Sequence, residues 1–186
     1  MKKGILAILV VLLISLPSAL CLAEEESETE EIFSSGEWDY YINDDGTATI
    51  SGWAGDDVEV VIPEEIDGIQ VTQIGNDAFV LCDSLTTITI PESVTQIGDS
   101  AFAYCGSLTD ITIPASVTQI GDWAFAYCSS LTDITIPESV TQIGDSAFAF
   151  CSSLILIVER DSYAVQYAKD NGILYEYTDA NDWLNS

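Results

Sequence analysis

The chain has 186 residues, 48% of them hydrophobic, which suits one domain with a buried core and excludes a disordered chain. Its 31 acidic residues face 4 basic ones, a net charge of −27 that repels phosphate backbones and anionic membrane surfaces and excludes nucleic acid as a partner. The sequence contains no histidine, so the commonest metal ligand and the commonest neutral-pH general base are both missing.

Met1-Lys2-Lys3, the apolar run Ile5 to Leu16 and the breaker Pro17 have the layout of a secretory signal peptide. About twelve residues cannot cross a hydrocarbon core of roughly 30 Å as a helix. The small residues Cys21 and Ala23 place cleavage after Ala23, so residues 1–23 are assigned to export and no membrane span is expected afterwards. A lipoprotein box around Cys21 is the alternative, although Leu20 stands where that pattern wants a small residue. Cleavage leaves Arg160 and Lys169 as the only cations.

Residues 24–35 include the like-charge run EEESETEE and read as a disordered acidic leader. Residues 36–61 read as an N-terminal β cap, with a hairpin whose arms are Trp38 to Ile42 and Thr47 to Ile50 around the turn Asn43-Asp44-Asp45-Gly46. That turn lacks the alternating acidic ligands and closing Glu of a calcium loop, so it is read as a plain turn. A second apolar run, Val58 to Ile62, leads into the centre of the chain.

Residues 62–158 are a repeat. IPESVTQIGDSAFAYCGSLTDIT begins at Ile90, recurs with small changes at Ile113 and Ile136, and so has a period of 23 residues, with a degenerate first copy from Ile62. In one unit, Leu108, Ile111 and Ile113 follow L-x-x-I-x-I, whose alternating end is a short strand pointing Asp110 and Thr112 outward. Pro114 ends that strand, and Val117 and Ile120 supply a second one. Gly121 is expected to turn the chain at positive φ, and Asp122 to cap a helical turn that carries Ala124, Phe125 and Cys128 inward. The fold class is therefore an α/β repeat, a solenoid of 23-residue coils with a β-hairpin cap and a helix–strand cap. Phe79, Phe102, Phe125 and Phe148 share one phase and are expected to form one buried stack.

Residues 159–177 form the C-terminal cap. Asp161-Ser162, the helix pattern Tyr163 to Lys169, the stop Gly172 and a last strand Ile173 to Tyr177 make it up. Ile155, Leu156 and Val158 stand, by the period, where Thr132, Asp133 and Thr135 stood, and such apolar residues need the cap as a cover. Residues 178–186 are an acidic tail.

The unit IPxSVTQIGDxAFAYCxSLTDIT, with the NDDGTATISG hairpin, the IPEEIDG entry and the SYAVQYAKDNGI exit, resembles the leucine-rich repeat of the BspA-like bacterial surface antigens over Trp38 to Tyr177. The resemblance implies a right-handed leucine-rich-repeat solenoid, a secreted or cell-surface bacterial location, and an adhesin-like role toward a host-matrix protein, another surface protein or a glycan. It names no ligand, because its matching residues are core positions.

No catalytic, cofactor or metal residue is expected. Cys82, Cys105, Cys128 and Cys151 recur at the period, but sulfurs in successive coils spread over about 14 Å and cannot converge on one zinc. Neighbouring coils place cysteines within disulfide range along Cα but with parallel Cβ vectors, so buried thiols are the favoured reading over bridges. Carboxylates are abundant, yet acid catalysis needs one with a raised pKa in a cleft; a carboxylate-dependent hydrolase remains the least favoured alternative. The outward rows Thr89, Thr112, Thr135 and Thr87, Asp110, Asp133 are the expected ligand-contact face, set against a solvated strand face chosen for β-propensity. The rows Thr95, Thr118, Thr141 and Gln96, Gln119, Gln142 carry the same ambiguity. A structural spacer or self-associating surface component is the alternative function.

Overall fold

The structure is a computed structural model that describes residues 31–179. The expected signal peptide, residues 24–30 of the leader and residues 180–186 of the tail lie outside the described residues.

The N-terminal cap is an antiparallel meander of β1 (Phe33–Ser35), β2 (Trp38–Ile42) and β3 (Ala48–Trp53). The expected hairpin is present, with Gly46 at φ 82° and Asp45 accepting a hydrogen bond from the Thr47 N–H at 2.9 Å. The cap starts inside the acidic leader. Phe33 pairs with Tyr40, and their rings stack at 5.6 Å, because apolar contact holds a segment that charge alone would leave solvated. The degenerate first copy has its extra residues folded out as a second hairpin, β5 (Glu65–Ile66) with β6 (Ile69–Ile74), turning at Gly68.

Parallel ladders then build the solenoid. The first ladder runs from β3 to β6 and on through β8 (Gln96–Ile97), β10 (Gln119–Ile120) and β12 (Gln142–Ile143). It stacks Ile50, Ile74, Ile97, Ile120 and Ile143, all buried. Opposite it, β4 (Glu59–Val61), β7 (Thr87–Thr89) and β9 (Asp110–Thr112) form one sheet. β11 (Asp133–Ile136), β13 (Ile155–Val158) and β14 (Leu174–Tyr177) form another. Alternation along these strands sends Val60, Ile88, Ile111, Ile134 and Leu156 into the core.

The last coil departs from the expected alignment. Asp133 pairs with Ile155 and Ile134 with Leu156, an offset one residue shorter than the period. A strict period would point Leu156 and Val158 outward; the shorter step puts both in the core, fully buried, and leaves Ile155 and Ile157 half-covered. Burial of the apolar set decides the register, as a one-residue slip exchanges the two faces of a strand.

The third side of each coil is a run of turns, where a helical turn was expected. In the coil of Phe125, Ala126 N–H donates to Trp123 O at 2.9 Å and Cys128 N–H to Phe125 O at 3.3 Å. Left-handed φ occurs at Trp123 (57°) and Tyr127 (62°), not at Gly121. Gly121 is required for another reason: a Cβ there would lie 2.4 Å from Asp99 Oδ1 and 2.6 Å from Asp99 N in the coil before. Asp122 likewise caps no turn of its own; its Oδ1 accepts from Asp145 N–H of the following coil at 2.7 Å, as Asp99 accepts from Asp122 N–H at 2.8 Å. The Gly-Asp pair is thus a device for joining coils at close approach.

Phe79, Phe102, Phe125 and Phe148 form the expected buried stack, with ring centroids 5.1, 5.2 and 5.3 Å apart. Beside it the four cysteines are free thiols. Cys105, Cys128 and Cys151 donate from sulfur to the carbonyls of Phe79, Phe102 and Phe125 at 3.1, 3.2 and 3.0 Å. Trp38 and Trp53 close the stack at one end, 6.1 and 6.0 Å from Phe79. At the other end α1 (Tyr163–Asn171) lays Tyr167 edge-on to Phe148 at 6.1 Å and stops at Gly172, φ 65°. Ser162 occupies the N-cap position in extended conformation, but its hydroxyl makes no capping bond.

Candidate functional site

The expected contact residues Thr87, Thr89, Asp110, Thr112, Asp133 and Thr135 lie on strands β7, β9 and β11, outward of the buried isoleucines. The structure does not bring all six onto one sheet. Thr87 pairs with Asp110 and Thr89 with Thr112, while Asp133 and Thr135 belong to the sheet beyond. Thr86 and Thr109 donate their hydroxyls to the carbonyls of Val58 and Thr86, but Thr132 turns its hydroxyl onto Asp133 Oδ2 at 2.9 Å. The ladder parts at the one junction where the repeat would set two carboxylates, Asp110 and Asp133, directly opposite each other, and like charges in register destabilise a strand pair. The neighbouring threonine row is consumed in the fold: Thr95, Thr118 and Thr141 donate to the carbonyls of Thr72, Thr95 and Thr118.

A second surface was not singled out by the sequence reading. Two residues beyond each buried Phe stands a large side chain pointing outward: Leu81, Tyr104, Tyr127 and Phe150. Tyr104 stacks on Tyr127 at 4.5 Å and 7°, and Tyr127 on Phe150 at 4.3 Å and 16°. Leu81, Tyr104 and Phe150 are 63%, 46% and 61% exposed. Trp123, in the other left-handed position of its coil, is exposed as well. All four ridge residues have φ of 62–63°, a backbone conformation that favours glycine or asparagine and costs a bulky residue on the order of 1–2 kcal/mol. Neither backbone preference nor core packing accounts for aromatic residues here. A signal was present in the sequence: a large side chain recurs at the phase of Tyr127 immediately before a buried cysteine.

The ridge ends at a cavity of about 410 Å³ between the last coil and the C-terminal cap, walled by Phe150, Cys151, Ser152, Tyr167, Ile173 and Leu174. Along the turns, N–H groups of each coil donate to carbonyls of the next: Trp123 to Asp145, Phe125 to Ala147, Tyr127 to Ala149. Among the described residues no carbonyl accepts from the corresponding N–H of Ser146 or Phe150. Burial raises the pKa of the Tyr167 phenol, against the lowering effect of the Ala147 and Phe148 backbone.

The carboxyls with resolved shifts move down: Asp45 through hydrogen bonds from Thr47, and Asp179 through its hydrogen bond from Arg160. Among the described residues no group of three or more His, Cys, Asp or Glu side chains is placed to hold a metal ion, and no helix is long and apolar enough to cross a membrane. Burial pushes the Cys105 thiol up to about 12 and that of Cys151 to about 11, and raises Cys128 further, which favours the protonated thiol at neutral pH.

Comparison with known proteins agrees with this architecture. Residues 59–166 match the model of the BspA type leucine-rich repeat region in six copies. A leucine-rich repeat protein from Bacteroides capillosus is 34% identical, with 70% of this chain and 99% of that one covered and a TM-score of 0.63. A leucine-rich cell surface protein from Faecalibacterium prausnitzii is 30% identical over 71% of this chain and 43% of that one, at a TM-score of 0.58. A leucine-rich repeat protein of T. pallidum is 28% identical over 68% and 71%, at 0.57. No curated protein matches significantly. The repeat match spans more than half of the chain, the solved relatives share its coil, and the chain belongs to the BspA-type leucine-rich-repeat family.

Proposed function

We propose that this chain is a non-enzymatic binding module of the bacterial surface, adhesin-like, which recognises a protein or glycan through the side chains its coils hold outward. The observation that carries this reading is the ridge of Leu81, Tyr104, Tyr127 and Phe150, its three rings stacked, its members exposed except for the half-buried Tyr127, and all seated at left-handed φ where folding gains little from bulk. Contiguous exposed apolar surface on a soluble protein marks an interaction site. Aromatic residues are also the side chains that most often dominate recognition energy. The outward residues Asp110, Thr112, Asp133 and Thr135 are a second contact surface suited to basic protein segments or sugar hydroxyls.

The alternative of a spacer or self-associating component draws on the near-identity of the coils from Ile90 to Ile136, which offer uniform faces. The test is a panel of purified matrix proteins and a glycan array, probed with wild type, with Tyr104, Tyr127 and Phe150 all changed to Ser, and with Asp110→Lys/Asp133→Lys. Binding that falls at least tenfold in the ridge variant, with circular dichroism unchanged, supports the reading. Affinity and salt dependence that survive charge reversal remove the strand face as the site. No binding by wild type, with concentration-dependent assembly in sedimentation, supports the self-associating alternative.

A further inference from the structure

The ridge has two kinds of ring face. Tyr127 is covered on both sides, by Tyr104 and by Phe150, whereas Phe150 is the last rung and no further aromatic ring stacks on it among the described residues. Phe150 lines the cavity beside α1, as does Leu174, which is 71% exposed. An aromatic face carries negative electrostatic potential and attracts a cation held over it.

The protein already uses this contact nearby. Arg160 lies 4.2 Å from the centre of the Tyr177 ring, and Lys169 lies 6.0 Å from that of Tyr175, so each cation of the described chain sits over a ring of the C-terminal cap. Among the described residues Phe150 has no such partner: Arg160 is held by Asp179 at 2.8 Å, and Lys169 lies over Tyr175. Charge of the matching sign lies near: Asp145 is close enough to act on the Tyr167 phenol, and Tyr167 lines the cavity.

The backbone supplies a second recognition element. The Phe150 N–H occupies the position from which Tyr127 N–H reaches Ala149 O at 2.9 Å, and it lacks an acceptor among the described residues. A ligand that offers a carbonyl there completes the pattern by which one coil joins the next. Arginine within an extended peptide has both features: a planar guanidinium that stacks on an aromatic face, and a main-chain carbonyl beside it.

Resting on the reading of the ridge as a binding surface, we propose that the cavity at its C-terminal end receives an arginine side chain from an extended basic segment of a partner protein. The guanidinium stacks on the open face of Phe150 as a further rung, and a carbonyl of the segment accepts from Phe150 N–H. The acidic surface of the chain, 31 acids against 4 bases, draws such a segment in and excludes acidic ones.

The experiment titrates the protein, labelled with nitrogen-15, with three peptides: Lys-Ala-Arg-Ala-Lys, its Lys-centred analogue of equal charge, and its Phe-centred analogue. Amide resonances of Phe150, Ser152 and Leu174 should move with the Arg peptide at concentrations at least threefold lower than with the Lys peptide. Phe150→Ala, an exposed position, should abolish those shifts, and Tyr104→Ala, two coils away, should leave them. The proposal is overturned if the Lys peptide binds equally well, if the Phe peptide binds more tightly, or if the shifts persist in Phe150→Ala. Sedimentation that shows a dimer blocked by Leu174→Glu would also overturn it, because a second copy would then own the cavity. Loss of the cavity site with retained partner binding by the ridge separates this failure from failure of the functional reading.

Discussion

Two aromatic columns run side by side through this solenoid, two residues apart in every coil, and their environments are opposite. Phe79, Phe102, Phe125 and Phe148 stack at 5.1–5.3 Å with no water on them. Tyr104, Tyr127 and Phe150 stack at 4.3–4.5 Å on the surface, with Tyr104 and Phe150 exposed. The inner column is capped by further rings at both ends, Trp38 and Trp53 and Tyr167; among the described residues no ring stacks beyond Tyr104 or Phe150 in the outer column, and Phe150 lines a cavity. The same period and chemistry thus give a core where caps and isoleucines exclude water and a recognition surface where they do not.

The largest expected effect comes from emptying the inner column. Phe125→Ala should cost about 3 to 5 kcal/mol in urea unfolding, the usual range for a lost core aromatic, and a transition unchanged from wild type would sink the assigned packing. The thiols beside that column sharpen the contrast through pH. Their folded pKa values lie above the usual value near 9, up to about 12 for Cys105, so the folded state holds protons that the unfolded state releases. That stability is fully present below pH 9 and is lost as pH rises toward the folded values, at about 1.4 kcal/mol per pH unit for each such thiol. Unfolding free energies measured at pH 8, 9 and 10 on wild type and on Cys105→Ala check this: the steeper fall should belong to wild type. The smallest effect concerns the strand face. Asp133→Thr removes the facing carboxylates and should restore pairing between β9 and β11, adding no more than about 1 kcal/mol, seen as slower amide exchange at Ile134 and Thr135.

The inner column was legible because Phe recurs at a fixed phase beside Ala residues, and only one register of the coil buries every copy. The caps were legible from aromatic content and from Gly46 and Gly172, which punctuate their turns. Other features depend on contacts between coils that one strand of letters does not display. Gly121 looks like a turn glycine until Asp99 is found against the position its Cβ would take. The final coil's shortened step is hidden by the period itself, since counting places Leu156 outward while burial places it inward. The ridge escaped notice because Tyr127, next to a core cysteine, resembles more core, and its left-handed φ is visible only in the folded chain. The outward strand residues were legible as outward, but the parting of β9 from β11 lies at a coil boundary where Asp110 and Asp133 would meet, which the period alone does not display.

The central claim is that the outer aromatic column is surplus to folding. The most direct measurement is the urea unfolding of a variant with Tyr104, Tyr127 and Phe150 changed to Ser together, run beside Phe125→Ala. Stacked aromatic pairs contribute about 0.5 to 1.5 kcal/mol each, and the ridge has two such pairs, so the account predicts a cooperative transition closer to wild type than to Phe125→Ala. A loss equal to or greater than that of Phe125→Ala would contradict it and return the ridge to the structural frame.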